Sequence, residues 1–265
     1  MSKLRENIFS RSVTYLRPSS YHSEPLFMKR LFIFSLLLLA GPVILQAQQI
    51  INDPNAEKRN LEGFHGIEVS SGIRLILTEG KTEEVAVSAA TIDFRDHIIT
   101  RVENGILKLY YKNDLVKSLK REKRELKAYV SYKNFDYLYA NTGADVDITG
   151  TLKSVSFKIK SNTGAVIKGG VNIDDLEVDQ DTGSVITLTG DTGKLDVEGD
   201  TGSMFKGIDL KTNTCKAMAS TGAGVYITVQ KELNVKANTG GYIKYKGDAG
   251  IREVKTNTGG SITKI

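Results

Sequence analysis

Asp181-Thr182-Gly183-Ser184-Val185-Ile186 is followed 19 residues later by Asp200-Thr201-Gly202-Ser203-Met204-Phe205. The two stretches match position by position, and the match extends both ways along the chain. Asn141-Thr142-Gly143, Asn162-Thr163-Gly164, Ser220-Thr221-Gly222, Asn238-Thr239-Gly240 and Asn257-Thr258-Gly259 bring the set to seven. Successive glycines are separated by 21, 19, 19, 20, 18 and 19 residues. A period this short, carried by strand-forming residues, specifies a β-solenoid in which each repeat makes one circuit.

Counted from each repeat glycine, position +3 holds Val146, Ile167, Ile186, Phe205, Val225, Ile243 and Ile262. Position −5 holds Leu138, Ile159, Val178, Val197, Ala217, Val235 and Val254, and position +1 only Ala, Ser or Gly. Odd offsets therefore point inward and even offsets outward, the period-two alternation of a half-buried strand. Large columns at +3 and −5 facing small residues at +1 and −3 predict a narrow, flattened interior with no room for a cavity. Stacked coils lie about 4.8 Å apart, so equivalent residues form ladders. Outside, Lys158 and Lys160 lie against Glu177 and Asp179 of the next coil, an opposite-sign pairing worth a few tenths of a kcal/mol per pair.

The triplet has a turn mechanism. Asn and Asp bond to their own backbone and tolerate the left-handed region, and Gly supplies a positive φ without a Cβ clash. Thr between them can stack on the Thr of the next coil. A second turn is expected on the far side of each coil, at Gly150, Gly169-Gly170, Gly190, Gly207 and Gly247. Each circuit then has two turns and two principal strands.

Residues 61–140 keep the strand-like composition without the Thr-Gly marker, and Asn104-Gly105 signals a tight turn between two runs. They read as irregular N-terminal coils or a capping sheet, since terminal repeats of such arrays are atypical. Residues 112–127 interrupt them with seven Lys and Arg against three Asp and Glu. This basic insertion is either a patch for anionic envelope glycans or lipid headgroups, or a solvated excursion between two strands. The second is the simpler account of a charge run.

Residues 1–47 read as a targeting segment. Met28-Lys29-Arg30 and the apolar run Leu31 to Leu39 form the n- and h-regions of a signal peptide spanning 28–47, with cleavage after Ala47 and Met28 as the start. The run is short and broken by Gly41-Pro42, so no membrane span is expected after cleavage. No cysteine follows it, so the chain is not expected to be a lipoprotein. Removal of residues 1–47 turns the formal +5 into 30 basic against 29 acidic residues, a net +1. The high pI thus implies no general polyanion or nucleic-acid partner. Residues 48–60 form a polar linker, and 141–265 the regular solenoid. The one cysteine, Cys215, is in register with Leu195 and Leu233 and belongs to the core.

Parallel β-helices also host polysaccharide lyases and hydrolases. Asp181 and Asp200 stack one coil apart and Asp191 lies across the coil, but Asn and Ser fill the same slot in other repeats, which makes the slot a turn position. His65 and His97 lack partners at metal-ligand spacing, and no repeat-in-toxin, phosphate-loop or nucleophile-elbow motif is present. Tyr226, Tyr242 and Tyr245 are the aromatic residues placed to stack on sugar rings if they face outward. No catalytic, cofactor-binding or metal-binding residue is assigned.

Phe64-His65-Gly66-Ile67-Glu68-Val69, Ile73 to Gly80 and Glu84-Val85-Ala86-Val87, followed by Gly105-Ile106-Leu107-Lys108-Leu109 and the coils from Asn141 onward, resemble the bacterial head GIN domain proteins. That family is labelled "putative auto-transporter adhesin" and is frequent in Bacteroidetes envelopes. The resemblance covers residues 60–265. It implies an all-β, single-domain, right-handed parallel β-helix-like solenoid and an adhesin-like role. Many family members are lipoproteins, and this chain departs from them in lacking the cysteine. The reading is a secreted or cell-envelope, non-enzymatic adhesin or scaffold module, periplasmic or extracellular, with a glycan among its candidate ligands. A carbohydrate-binding module or polysaccharide-active enzyme on the same fold is the alternative. The last coil, with Val254 and Ile262, is expected to support weak self-association.

Overall fold

The computed structural model describes residues 53–112 and 123–265. The targeting segment over residues 1–47, the first part of the 48–60 linker and most of the basic insertion lie outside them. The described residues form a β-solenoid of about seven turns with coils of about 19 residues. In chain order the elements are β1 (Glu57–Arg59), β2 (Gly66–Val69), β3 (Arg74–Glu79), β4 (Glu84–Ser88), α1 (Ile92–Asp96), β5 (Ile98–Glu103), β6 (Ile106–Tyr111), β7 (Lys127–Tyr132) and β8 (Tyr137–Ala140). The repeats follow as β9 (Asp145–Ser161), β10 (Val166–Gln180), β11 (Val185–Gly199), β12 (Met204–Ala219), β13 (Gly224–Ala237), β14 (Tyr242–Lys246), β15 (Gly250–Thr256) and β16 (Ser261–Lys264).

Each long strand pairs in parallel with the next, in the register the repeat predicts. Ile167 faces Val146 and Ile186, and Phe205 faces Ile186 and Val225. The inward columns are buried: Ile159, Ile167, Val178, Ile186, Val197, Phe205 and Val225 are 0 % exposed. Burying a side chain of this size stabilises the fold by about 1.5–3 kcal/mol, and the columns repeat that burial once per coil. One inward slot departs from the small-residue rule. Gln180 occupies the −3 column, 4 % exposed, and its amide lies 3.6 Å from where a Cβ on Gly199 would be, so the glycine leaves the room the longer side chain fills.

The expected second turn is a bend instead. β9 to β13 each run 14 to 17 residues through the far side without a break. The pairing register slips there, between Gly169 and Gly170, Thr187 and Gly190, and Gly207 and Lys211. Differences in coil length are absorbed as bulges at this bend. Gly190 (φ 108°) shows why it needs glycine: a Cβ there would sit 2.1 Å from the Val171 carbonyl oxygen of the coil beneath.

The N-terminal part follows a threading that the repeat does not encode. On the side leaving the Thr-Gly turn (the outbound face) the strand order is β1-β4-β7-β3-β9. On the side running into the turn (the inbound face) β5 pairs β6, β6 pairs β2, β2 pairs β8 and β8 pairs β9. The coil made of β2 and β3 is therefore inserted between the later β6–β7 and β8–β9 coils. Its corner, Ser70-Ser71-Gly72, is an eighth turn of the repeat type, with Ser71 and Gly72 at φ 63° and 72°. In the coil below, β6 ends at Tyr111 and β7 begins at Lys127, and the connection between them carries most of the basic insertion. Its described end is tied down, with Leu126 buried and Arg124 4.7 Å from the centre of the Tyr111 ring.

Residues 48–60 are more than a linker in their described half. Asp53 accepts from the Tyr129 hydroxyl at 3.1 Å and Lys127 at 3.4 Å, and β1 pairs antiparallel with β4. Antiparallel strands thus end the parallel stack on both faces, β4 and β1 on the outbound side and β5 on the inbound side.

Candidate functional site

The surface is built from three exposed ladders: the turn row and the two outer faces. In the turn row both central residues have positive φ, Thr at 42–48° and Gly at 68–77° in all seven triplets. The first residue's carbonyl accepts from the N–H three residues on, as in Ala144 to Asn141 at 3.1 Å. This is the type I′ pattern. The Asn or Asp side chain then accepts from the Thr N–H, for example Thr182 to Asp181 at 2.6 Å and Thr201 to Asp200 at 2.7 Å. The left-handed residue beside glycine is thus Thr, not the Asn or Asp that the sequence suggests. A ladder joins the turns, each glycine N–H donating to the Thr carbonyl of the next coil, from Gly72 to Thr142 at 3.0 Å up to Gly240 to Thr258 at 3.1 Å.

These bonds fix the role of the stacked aspartates. A hydrogen bond from the Thr221 side chain, opposed by partial burial and reinforced by the Thr201 N–H, holds the Asp200 carboxyl below the usual carboxylate range. A general acid needs the opposite shift. Asp191 lies at the far bend, on β11. His65 bonds to Asp136 at 2.7 Å and His97 to the Asp93 carbonyl at 2.6 Å. Among the described residues no group of three or more His, Cys, Asp and Glu side chains gathers as a metal site would require. Cys215 is buried and burial pushes its thiol up, so it is a core residue.

The inbound face neutralises itself. Lys158 pairs with Glu177 and with Asp179 (3.2 Å), Lys160 with Asp179 (3.8 Å), and Lys216 with Asp196 and Glu198 (3.4 Å each). A shallow groove of about 600 Å³ crosses this face over Tyr139, Lys160, Asp179, Glu198 and Met218.

The outbound face is different. Near its N-terminal end Asp147 bridges Arg74 (2.6 Å) and Lys168 (2.9 Å) across three coils. Further along, the segments Val185–Leu188, Met204–Gly207, Gly224–Ile227, β14 and β16 contain four lysines and no Asp or Glu. Lys206, Tyr226 and Lys244 follow one another in a single outward column. Tyr242 meets Tyr226 edge to face at 5.9 Å between centroids, and the Lys244 ammonium lies 5.6 Å from the Tyr226 ring centre. The Tyr242 ring rests over Gly224, where an added Cβ would come within 2.5 Å of it. Of the three tyrosines singled out from sequence, Tyr226 and Tyr242 lie outside and Tyr245 is buried. The lysine column escapes an analysis of single repeats because it shows only when every second coil is read together.

The fold and surface define a β-solenoid with filled interior columns and exposed, ladder-like faces. Residues 63–249 match the family model described as "Putative auto-transporter adhesin, head GIN domain", and the chain belongs to that family. Among solved structures it is similar to a putative adhesin from Bacteroides fragilis, with 17 % identity and a TM-score of 0.69 over 79 % of this chain and 96 % of that one. It is also similar to a putative adhesin from Parabacteroides merdae (14 %, TM-score 0.58, 79 % and 95 %). A third is a putative lipid binding protein from Parabacteroides distasonis (20 %, TM-score 0.57, 80 % and 98 %). At these identities the likeness concerns the fold. Comparison with functionally curated proteins gave no match.

Proposed function

We propose that this chain is an exported, non-enzymatic binding module of the bacterial cell envelope, acting as an adhesin or scaffold. The observation that carries the reading is the division of labour between interior and surface. The large interior columns of β9 to β13 are buried apolar side chains, while charged residues and the Tyr226–Tyr242 pair line the outer faces. A ligand is then met along a face, as an extended surface, and not enclosed in a pocket. The stacked aspartates serve the turns, and Glu177, Asp179, Asp196 and Glu198 of the inbound face are held by lysines of adjacent coils, which supports a structural role for these carboxylates.

The purified protein, immobilised on beads, should retain particles of outer envelope or host surface glycoconjugate. It should also release no reducing ends from a panel of polysaccharides. Turnover of any polysaccharide would replace this reading with the enzymatic one. Export is tested separately by mass spectrometry of the native protein, which should begin at Gln48. No described helix is long and apolar enough to cross a membrane.

A further inference from the structure

We propose that the outbound face carries a binding site for an acidic polysaccharide, centred on Tyr226 and Tyr242 and flanked by Lys206 and Lys244. The inference rests on the binding-module reading and names the ligand class. Its first support is the segregation of charge. The carboxylates of the repeats concentrate on the inbound face, where lysines neutralise them. On the outbound face Lys206 and Lys244 have no carboxylate partner among the described residues, and the strand segments around them contain none. The near-neutral total therefore hides a cationic strip.

The second support is the aromatic pair. Tyr242 is seated by Gly224, the one residue without a side chain in a column that otherwise reads Asp145, Val166, Val185, Met204, Tyr242 and Ser261. With Tyr226 set edge to face against it, the pair forms a fixed apolar step on an open sheet. Pyranose rings stack on such surfaces through their C–H faces. Lys206 and Lys244 stand two coils apart, about 9.6 Å at the usual strand spacing, which is comparable to the span of a disaccharide. A chain running along the stack, with an acidic group on alternate sugars, places its rings on the tyrosines and its charges at the lysines. Each lysine supplies a charge-assisted hydrogen bond, and the array is salt-sensitive because the face is exposed.

The test is titration of the purified full chain with polygalacturonate, its fully methyl-esterified form and chondroitin sulfate, at low and raised salt. Binding is expected to the acidic polymers, weakening with salt, and not to the methyl ester. Polygalacturonate carries carboxylates alone and chondroitin sulfate carries both carboxylates and sulfates, so binding to the first shows that carboxylates suffice and binding to the second alone assigns the recognition to sulfate. Lys206→Ala and Lys244→Ala should each weaken binding about tenfold, and Tyr226→Ala with Tyr242→Ala should abolish it. Gly224→Ala should weaken it with every charge retained, by displacing the Tyr242 ring. Lys160→Ala on the inbound face should leave it unchanged, and circular dichroism melts confirm that each variant is folded. Absence of binding to both acidic polymers overturns the proposal, as does an equal loss with Lys160→Ala or equal affinity for duplex DNA. If the bead assay succeeds on envelope or host glycoconjugate while both acidic polymers fail, the binding-module reading stands and only this ligand class is lost.

Discussion

The left-handed threonines are the least expected residues of this chain. A β-branched side chain at φ near 45° is unfavourable by about 1 kcal/mol relative to an unstrained position, yet all seven triplets place Thr there. Asn is the better residue for the first central position of a type I′ turn, so Thr201→Asn is expected to raise the melting temperature. A fall instead would show that side-chain bonding along the ladder, such as Thr221 to Asp200, outweighs the strain. Gly202 has φ 70° and open space where a Cβ would go, so Gly202→Val is destabilising through the backbone alone, by about 1–2 kcal/mol. Asp147 makes a different residue-scale case. Partial burial raises its pKa, but Lys168 and Arg74 together outweigh that and leave it below 3.8. A depressed carboxylate contributes stability that is fully present above the unfolded value and is lost as pH falls through the folded one. Arg74 is 54 % exposed, so solvent screening limits the contribution to about 1 kcal/mol or less. Denaturant melts of wild type and Asp147→Asn should differ at neutral pH, and the gap should close only as pH falls through the depressed folded pKa of Asp147. A gap that persists in acid would mean that packing, not charge, accounts for it.

At the scale of the strand, β12 offers the sharpest contrast. Phe205 is 0 % exposed between Ile186 and Val225, whereas its neighbour Lys206 is exposed. Phe205→Asp places an unpartnered carboxylate in the core and should unfold the solenoid cooperatively. Lys206→Asp should change stability by less than about 0.5 kcal/mol. Comparable losses in urea melts would invalidate the inward and outward assignment. Tyr132 on β7 is a subtler case, with its hydroxyl buried and unpartnered and its pKa pushed by burial, then by Glu79, up to about 12. Tyr132→Phe keeps the ring contact with Phe135 and should be neutral or stabilising by up to about 1 kcal/mol. The alternation that sorts Phe205 from Lys206 was legible in sequence because the repeat is periodic. The far bend was misread as a turn because glycine marks close approach of stacked backbones as readily as it marks a reversal, as Gly190 shows. The eighth turn was missed for a chemical reason, since Ser71 replaces Thr and Ile73 fills the slot that is small elsewhere. Its offsets nevertheless fit, with Ile67 at −5 and Leu75 at +3, both 0 % exposed. No local pattern places the β2–β3 coil between two later ones, because stacking order is set by pairings between strands distant in sequence.

The two ends of the described solenoid are unlike. At the N-terminal end the stack finishes in antiparallel strands, and on the outbound side the last of them is the charged triplet Glu57-Lys58-Arg59, a sequence that blunts an edge against further pairing. At the other end β15 is exposed throughout, with Ile251 at 48 % and Val254 at 50 %. Its outer neighbours are Glu253 and Lys255, which pair with each other along the strand. An antiparallel partner centred on Val254 would set Glu253 of one copy opposite Lys255 of the other, twice by symmetry. We propose a second copy of this chain as the occupant of this edge. Sedimentation across a concentration series should show weak, reversible dimers. Glu253→Lys and Lys255→Glu should each disfavour them by setting like charges opposite one another. The double variant should restore them, because the exchange recreates both cross-copy pairs. A species that stays monomeric at all concentrations would sink the idea. So would single and double variants that associate alike, since an association indifferent to these charges cannot run through β15 in this register.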